Sequence, residues 1–286
     1  MIITVTEKQI SEICADWRAN GFSIGFVPTM GALHKGHLSL IELAKKNCDK
    51  VVVSIFVNST QFAPDEDLDK YPRTFEQDCK KIEEACGDAV FAPEDATIYP
   101  SDFSTQVSVG NLTNGLCGAE RPGHFDGVTT VCAVLFGIVK PDVAVFGMKD
   151  AQQLAVIRQM VKDLRLGIKI IGAPIVREND GIALSSRNAY LSEKERANAL
   201  FINKGLLSVL NLVKSGEQDS TILKIGFLQT LKNAPVLNVQ YAEIVDIVTL
   251  KKVEKVEETC LMAVAVFAGK TRLIDNIVLE PEVRID

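Results

Sequence analysis

Short apolar runs alternate with longer segments through the first 175 residues of the chain. The apolar runs are typical of buried strands, and they lie at residues 24–27, 51–57, 89–91, 143–146 and 168–171. The longer segments carry apolar residues at helical spacing and predict helices over residues 37–47, 74–85, 128–139 and 151–163. Continuous apolar strands separated by helices favour a parallel sheet that is covered on both faces.

The pattern changes after about residue 175. A long helix is predicted over residues 193–214, where Ser192 and Glu195 resemble a capping box. A second helix is predicted over 221–231, and strand-like runs follow at residues 236–245, 261–267 and 273–278. We therefore expect two domains, an α/β domain over residues 1–175 and a smaller α+β domain with antiparallel strands over residues 176–286.

Three of the predicted strands end directly before polar segments, at residues 28–30, 58–61 and 147–150. Ligands of open α/β sheets bind at the carboxyl ends of the strands, so these segments are candidates for a ligand site. A further segment, 64–72, is acidic and rich in turn residues. We expect it to form an ordered loop over a site.

Two of the three histidines in the chain lie in the sequence His34-Lys35-Gly36-His37, between a predicted strand and a predicted helix. A helix start attracts phosphate, and imidazoles there add hydrogen bonds to it. Gly36 permits close approach of the backbone because it has no Cβ. This H-x-G-H spacing predicts a nucleotide site. The alternative is that the two histidines only cap the helix.

Lys149 follows another predicted strand, where it can pair with a nucleotide phosphate, and Gln153 can hold a small polar substrate. The alternative is an acidic helix start with a solvated lysine. Two hydroxyls and a guanidinium at Ser185, Ser186 and Arg187 can bind a polyphosphate. The alternative for this segment is an ordinary polar turn.

Two amides after the second predicted strand, Asn58 and Gln61, are suited to holding the hydroxyls and carboxylate of a substrate, or they merely cap the strand end. The third histidine, His124, either completes a catalytic set or has a structural hydrogen-bonding role. Neither a P-loop nor a G-x-S-x-G motif occurs in the sequence, which removes those routes to ATP binding and to acyl-serine chemistry.

The net charge of −6 and the even spread of Lys and Arg argue against a protein that binds a nucleic-acid backbone. No uncharged apolar run approaches the roughly 20 residues that span a bilayer. The seven cysteines are scattered without a C-x-x-C pair, so neither a zinc site nor a disulfide framework is expected. We expect a cytoplasmic protein with small-molecule substrates, without nucleic-acid or membrane partners.

Taken in order, the motifs closely resemble those of the pantoate–β-alanine ligase family. The matching segments are Pro-Thr-Met-Gly-Ala-Leu-His-Lys-Gly-His at 28–37, Asn-x-x-Gln-Phe at 58–62, Tyr-Pro-Arg-Thr at 71–74, Arg-Pro-Gly-His-Phe at 121–125, Phe-Gly-Met-Lys-Asp-x-Gln-Gln at 146–153 and Leu-Ser-Ser-Arg-Asn at 184–188. Two positions depart from the family's pattern. Ser59 stands where proline is common, and Cys117 stands where some members have glutamate.

The resemblance implies a Rossmann-like catalytic domain, a C-terminal lid domain and a homodimer. It also implies that ATP and pantoate form pantoyl adenylate and pyrophosphate, and that β-alanine then attacks the adenylate to give pantothenate and AMP. Mg²⁺ would bridge the phosphate oxygens. No protein ligand for the metal is predicted, although Asp78 and Asp150 are candidates for a contribution.

The positions of the motifs also imply roles for individual residues. The implied ATP-binding residues are Met30, Gly31, Ala32, Leu33, His34, Lys35, Gly36, His37, Gly147, Met148, Lys149, Asp150, Val176, Leu184, Ser185, Ser186 and Arg187. Gln61 and Gln153 match the family's pantoate-binding glutamines, and Asn58 is a further substrate-binding candidate. His37 matches the residue usually described as a proton donor. The catalytic candidates are His34, His37, Lys149 and Arg187, which can stabilise charge that develops on the phosphates.

Two other functions remain open on the sequence. One is an H-x-G-H nucleotidyltransferase that stops after transferring AMP or CMP and needs no amine acceptor. The other is a catalytically idle nucleotide-binding regulator on the same fold. The intact histidines, Lys149 and Arg187 argue against the regulator, since a pure binding protein has less need of the full set.

Overall fold

The computed structural model describes residues 1–63 and 68–281. It divides the chain into two compact units. The first unit comprises residues 1–111, 121–148 and 153–174, and the second comprises residues 112–120, 149–152 and 175–286. Part of the predicted acidic loop, residues 64–67, lies outside the described residues, and Leu68–Lys70 forms a 3-10 turn. The assignment of catalytic and lid roles to separate domains stays a prediction.

A parallel sheet forms the centre of the first unit, as the apolar runs predict. In the described part of the chain its strands are β1 (Ile2–Thr4), β2 (Ile24–Thr29), β3 (Lys50–Ile55), β4 (Ala89–Phe91), β5 (Val143–Gly147) and β6 (Lys169–Ala173). Their order across the sheet is β1-β4-β3-β2-β5-β6, and all recorded pairs are parallel. The α/β fold class is therefore confirmed.

The helices in this part of the chain are α1 (Glu7–Ala19), α2 (Lys35–Asn47), α3 (Phe75–Glu84), α4 (Asp95–Ile98), α5 (Leu116–Glu120), α6 (His124–Val139) and α7 (Ala151–Asp163). Four of them, α2, α3, α6 and α7, lie where the periodicity predicts them. The predicted bounds of β4 and α7 agree with those observed, whereas α6 begins four residues before the predicted start at 128. Its start is set by Gly123, which adopts a left-handed φ of 80°.

The sequence reading missed β1, α1 and the short helices α4 and α5, which have only four and five residues. β1 has only three residues, and Ile2 and Ile3 are 44% and 51% exposed, so it lacks the length and burial that mark a strand. In α1 only Ile10, Cys14 and Trp17 are buried, which is a sparse apolar stripe. The hydroxyl of Thr6 caps this helix by accepting the Gln9 N–H at 3.3 Å.

The sheet order places a topological switch point between β2 and β5. From β2 the chain continues through β3 and β4 on one side, while β5 and β6 lie on the other. In open α/β sheets the ligand crevice lies outside the carboxyl ends of the strands at such a point. The H-x-G-H segment follows β2, so the fold positions it at this crevice.

Pro28 limits the pairing of β2 with β5 at that end. The recorded pairs are Gly25 with Val143 and Phe26 with Ala144. The carbonyl of Ile24 accepts the Asp142 N–H at 2.9 Å, so the even-numbered residues of β2 direct their main-chain groups towards β5. Proline has no N–H to donate. At Pro28 the ladder therefore lacks a donor on the side that faces β5.

The second unit contains an antiparallel sheet with two long helices, as predicted. In the described residues the strands are β7 (Leu237–Asp246), β8 (Cys260–Ala268) and β9 (Thr271–Leu279), with β8 in the middle, and the helices are α8 (Glu193–Lys214) and α9 (Ser220–Leu231). The capping box at the start of α8 is confirmed, because the Ser192 hydroxyl accepts the Glu195 N–H and the Glu195 carboxylate accepts the Ser192 N–H. Within the described residues, no helix combines the length and apolar character needed to cross a bilayer.

Two helical glycines give a stability test with opposite signs. A Cβ at Gly205 of α8 would lie 2.7 Å from Phe227 Cδ2, whereas a Cβ at Gly137 of α6 would meet nothing within 4 Å. We expect Gly205→Ala to lower the free energy of unfolding by about 1–3 kcal/mol through overpacking. We expect Gly137→Ala to raise it by about 0.5–1 kcal/mol. Urea denaturation followed by far-UV circular dichroism measures both, and equal shifts for the two variants would contradict the packing argument.

Candidate active site

The loop between β2 and α2 carries the H-x-G-H histidines, and its backbone is unusual. Gly31 and Ala32 both adopt left-handed conformations, with φ values of 81° and 50°. The carboxylate of Asp78 on α3 accepts the N–H groups of Ala32 and Leu33, both at 2.8 Å. A side chain of a neighbouring helix therefore holds the residues directly before His34.

The two histidines form the cap of α2. His34 is the N-cap residue, and its Nδ1 accepts the Gly36 N–H at 3.1 Å. His37 reaches back, and its Nδ1 accepts the His34 N–H at 3.3 Å. The ring centroids lie 4.1 Å apart. The predicted strand-to-helix junction is confirmed, although α2 begins at Lys35, two residues before the predicted start, and capping is one function of both side chains.

This capping arrangement assigns the tautomer of both rings. A nitrogen that accepts a hydrogen bond from a backbone N–H carries no proton, so in each neutral ring the proton is on Nε2. His34 and His37 therefore present Nε2–H groups as donors at a helix start. Donors of this kind suit phosphate oxygens, and a ring whose second nitrogen is already protonated does not serve there as a base.

Asn58 and Gln61 form a hydrogen-bonded pair at the end of β3. Asn58 is 1% exposed, and its Nδ2 donates to Gln61 Oε1 at 3.2 Å. Gln61 Nε2 in turn donates to the Met30 sulfur at 3.0 Å. The pair is thus oriented with the amide nitrogen of Gln61 beside Met30. Two segments that the sequence predicts to share a site, 28–30 and 58–61, lie together in the first unit.

Tyr99 and Thr60 set the orientation of Asn58. Both hydroxyls donate to Asn58 Oδ1, at 2.8 Å and 2.9 Å. Burial raises the pKa of the Tyr99 hydroxyl, so this group stays protonated at neutral pH. With its oxygen occupied in this way, Asn58 offers its nitrogen to Gln61. Sequence reasoning missed Tyr99 because no motif or spacing relates it to Asn58.

His124 has a structural role in the first unit. Its Nδ1 lies 2.8 Å from the Gln61 carbonyl oxygen, and its Nε2 lies 2.9 Å from Arg121 Nη1. Because a guanidinium only donates, Nε2 is the acceptor and Nδ1 carries the proton. A Cβ at Gly127 would lie 2.5 Å from the Thr60 carbonyl oxygen, so the turn that carries Gln61 packs directly on α6.

The segment after β5 divides between the two units. Gly147 and Met148 belong to the first unit, as does Gln153 in the first turn of α7. Lys149 and Asp150 belong to the second unit. The carbonyl oxygen of Lys149 accepts a hydrogen bond from Asn276 Nδ2 at 3.0 Å.

In the second unit the structure brings together several of the phosphate-binding candidates. The Leu184 N–H donates to the Val176 carbonyl at 3.0 Å, and the Ser185 hydroxyl accepts the Arg187 N–H at 3.3 Å at the start of the 3-10 turn Ser186–Tyr190. Lys149 and Ser185 line one small cavity of about 10 Å³, which has room for a single water. The polar-turn interpretation thus describes the backbone of this segment.

The neighbours of this segment include an ion pair that sequence reasoning missed. Arg177 binds Asp275 through both guanidinium nitrogens, at 2.7 Å and 2.9 Å. The Asp275 side chain is only 3% exposed. Arg177 also donates to the Gly181 carbonyl at 3.1 Å, so the pair ties the turn before Ser185 to β9. No local pattern links residues this far apart in the chain.

Cys117, where some family members have glutamate, lies buried in the second unit. Its sulfur is 3.1 Å from Tyr241 Oη and accepts a hydrogen bond from Arg272 Nη2 at 3.3 Å. Burial, with the neighbouring Cys117, raises the pKa of Tyr241. Cys117 therefore serves as a polar contact of Arg272 and not as a carboxylate partner.

A cavity of about 520 Å³ lies in the first unit beside the loop of H-x-G-H. Its lining includes Met30, Gly31, Ile55, Thr74 and Asp78. Within residues 1–63 and 68–281, no group of three or more His, Cys, Asp or Glu side chains is placed to hold a metal ion. Asp78 uses its oxygens on backbone and hydroxyl donors instead.

A parallel α/β sheet with a histidine-capped helix at its switch point is typical of α/β enzymes of the nucleotide-binding class. Comparison with known families is more specific. A model described as "Pantoate-beta-alanine ligase" matches residues 2–278. The chain belongs to the pantoate–β-alanine ligase family, and it is an enzyme of the ligase class.

Individual relatives agree with this assignment over the whole chain. A pantothenate synthetase of Clostridium botulinum is 49% identical over 276 residues, which cover 96% of this chain and 98% of the relative. The structure of pantothenate synthetase from Thermus thermophilus has a TM-score of 0.93 and 40% identity, covering 98% of this chain and 100% of that one. A pantoate–β-alanine ligase from Francisella tularensis, solved with "Beta-gamma ATP and Beta-alanine", has a TM-score of 0.79 and 36% identity, with 97% of each chain covered.

The three histidines allow a direct test of the assigned tautomers, because the chain has no others. We expect His34 and His37 to be Nε2–H tautomers and His124 to be an Nδ1–H tautomer at neutral pH. Two-bond ¹H–¹⁵N NMR correlations of the imidazoles distinguish the two forms, and single histidine substitutions assign the signals. One shared tautomer for all three rings would contradict the hydrogen bonds described above.

Proposed function

We propose that this chain joins pantoate to β-alanine in two steps at the expense of ATP. In the first step pantoate and ATP form pantoyl adenylate and pyrophosphate, and in the second β-alanine displaces AMP to give pantothenate. Family membership supports these substrates. The observation that carries the proposal is the cap of α2, in which the Nδ1 atoms of His37 and His34 accept backbone N–H groups, which assigns the ring protons to Nε2.

The first step needs charge stabilisation more than a base. The pantoate carboxylate is ionised near pH 7 and attacks the α-phosphorus, while the bond from that phosphorus to the pyrophosphate oxygen breaks. Negative charge accumulates on the departing pyrophosphate. Donors fixed in advance stabilise such charge without reorganisation. His34 and His37, locked by the helix cap, suit this role.

Pantoate binding is assigned to the amides of the first unit. Gln61 offers its amide nitrogen as a donor, because Asn58 already occupies its oxygen. That orientation suits the carboxylate and hydroxyl oxygens of pantoate. The Met30 side chain beside it adds apolar surface. Gln153 is the second proposed substrate-binding residue.

ATP binding is assigned to the remaining motif residues. The backbone of residues 30–37 and 147–150, together with Val176 and the segment 184–187, is proposed to contact the nucleotide. Lys149 and Arg187 supply positive charge, and Ser185 and Ser186 supply hydroxyls. These side chains are donors and cations, which complement phosphate groups.

The N–H donors and cations named above do not bind Mg²⁺ themselves. They are compatible with a Mg²⁺ ion that is carried by the phosphates of ATP. Mg²⁺ keeps several waters and is held largely by phosphate oxygens in nucleotide sites. When bound, the ion would neutralise charge on the phosphates. Lys149, Arg187 and the two histidines would then bind the phosphate oxygens that remain.

The second step joins an amine to an activated acid. The neutral amine of β-alanine attacks the carbonyl carbon of the adenylate, the C–N bond forms, the C–O bond to AMP breaks, and the nitrogen releases a proton to a phosphate oxygen of AMP or to solvent. A mixed anhydride hydrolyses readily in water, so the site must exclude solvent at this stage.

A homodimer in the cytoplasm remains the expected state of the protein, and light scattering on the purified chain tests the dimer.

A single assay tests the proposed reaction. Purified protein with ATP, Mg²⁺, pantoate and β-alanine should form pantothenate and AMP in equal amounts. Omission of β-alanine should abolish pantothenate and leave pantoate-dependent exchange of pyrophosphate with ATP. Folded protein that forms no pantothenate contradicts the proposal. Continuous AMP transfer without an amine would instead indicate a nucleotidyltransferase.

His37→Gln separates catalysis from capping. Glutamine at the third helical position completes a capping box, so the start of α2 should stay intact. The imidazole Nε2–H donor is replaced by an amide N–H in a different position, and we expect pantoate-dependent pyrophosphate exchange to fall by about 10²–10³-fold. His37→Ala should show the same kinetic loss and, in addition, a loss of about 1 kcal/mol in the free energy of unfolding. Unchanged exchange in both variants would show that His37 only caps the helix.

A further inference from the structure

We infer that Asp78 is the positioning residue of the H-x-G-H loop. Its buried carboxylate holds residues 31–33 in a left-handed turn that presents His34 and His37 to the phosphates. The effect of Asp78 on the reaction rate rests on the proposed function. Its structural content, that the histidine geometry depends on Asp78, stands on the contacts of the first unit alone.

The turn before His34 is held in a conformation that the chain does not favour by itself. Ala32 has a φ of 50°, and L-residues with a side chain rarely adopt this region. The preceding Gly31, at 81°, adopts it without steric cost. Such strain persists only where surrounding contacts determine the backbone. Some interaction must therefore hold Ala32 in place.

Asp78 supplies that interaction. One carboxylate oxygen, Oδ2, accepts the Ala32 N–H, and the other, Oδ1, accepts the Leu33 N–H, both at 2.8 Å. The Thr74 hydroxyl also donates to Oδ2, at 3.0 Å. Asp78 is 0% exposed to solvent. A buried carboxylate is tolerated only when such donors compensate for its lost hydration, so carboxylate and turn stabilise each other.

A second side chain of α3 binds the same turn. Lys81 Nζ donates to the Leu33 carbonyl oxygen at 2.6 Å. Asp78 and Lys81 are three residues apart and therefore share one face of the helix. Together they bind the N–H and the C=O of Leu33, whose side chain is itself buried.

Leu33 directly precedes the N-cap residue His34. The position of the Leu33 backbone therefore determines the position of His34 and, through the hydrogen bond between them, of His37. The Nδ1 of His34 is bound to the Gly36 N–H, and the Nδ1 of His37 is bound to the His34 N–H. A shift of the turn moves the His34 backbone and breaks the second of these bonds. The ring of His37 then loses the contact that fixes its tautomer.

The contacts also argue against Asp78 as a metal ligand. Both oxygens already accept hydrogen bonds, and the residue has no exposed surface. Recruitment to Mg²⁺ would require breaking the bonds that hold the turn. The two roles predict different dependence on Mg²⁺, which makes them separable by experiment.

Asp78→Asn is the primary test. The amide keeps the size of the side chain, but its NH₂ group replaces one acceptor and faces a backbone N–H. We expect kcat for pantoate-dependent pyrophosphate exchange to fall by about 100-fold, the loss typical of misplaced catalytic groups. KM for pantoate and the Mg²⁺ concentration for half-maximal rate should stay unchanged. Glu84→Gln, an exposed carboxylate on the same helix, is the matched control and should behave like the parent protein.

Ala32→Gly in the Asp78→Asn background provides a rescue. Glycine adopts a φ of 50° without the penalty that alanine carries, so the turn should re-form more often. We expect about a fivefold recovery of kcat, which follows from the size of that penalty. A lost metal ligand would not be restored by this change.

The histidine tautomers give a readout that does not require activity. In Asp78→Asn we expect the imidazole ¹⁵N signals of His34 and His37 to lose the pure Nε2–H pattern, while those of His124 stay unchanged. Lys81→Met should show a smaller change in the same signals and serves if Asp78→Asn does not fold. Unaltered signals in the folded variant, or a raised Mg²⁺ requirement, overturn the inference. An inactive parent protein with the expected signals would count against the proposed function and leave the positioning role supported.

Discussion

The first turn of a helix has backbone N–H groups without partners inside the helix, and the candidate site depends on how α2 meets this requirement. Most helices use a hydroxyl or carboxylate of the cap for this purpose. Here two imidazoles accept the N–H groups of Gly36 and His34. Because the Nδ1 atom of each imidazole accepts a backbone N–H of the first turn, the proton of each neutral ring is on the second nitrogen, Nε2. Capping and the proposed phosphate recognition therefore use the two nitrogens of the same rings.

The sequence predicted most of the fold, because long apolar runs and helical periodicity report burial directly. The strands β2 to β6 of the central sheet, the helix Glu193–Lys214 and the antiparallel C-terminal strands follow from these patterns. The elements β1 and α1 were not predicted, because a three-residue edge strand and a sparse apolar stripe differ little from the sequence of a loop. Periodicity thus fails where an element buries little surface.

The candidate site was predictable only where its residues are close together in the chain. His34 and His37, or Asn58 and Gln61, form local pairs whose spacing carries chemical meaning. Asp78, Lys81 and Tyr99 act on those pairs from other elements, across 41 to 48 residues of sequence. No local pattern reports such contacts. The residues that make the chemistry are legible in the sequence, whereas those that hold them in place require the three-dimensional structure.

Pro28 shows how a backbone can encode a binding crevice without any side-chain contact. Sheets tend to extend their hydrogen-bonded ladders wherever donors and acceptors face each other. A proline whose missing N–H faces β5 leaves one carbonyl of that strand end without its ladder partner from β2. The main-chain hydrogen bonding between β2 and β5 is therefore interrupted near the carboxyl end of β2, where the strand order reverses. The opening at this end of the sheet is therefore a property of the main chain and does not depend on which side chains surround it.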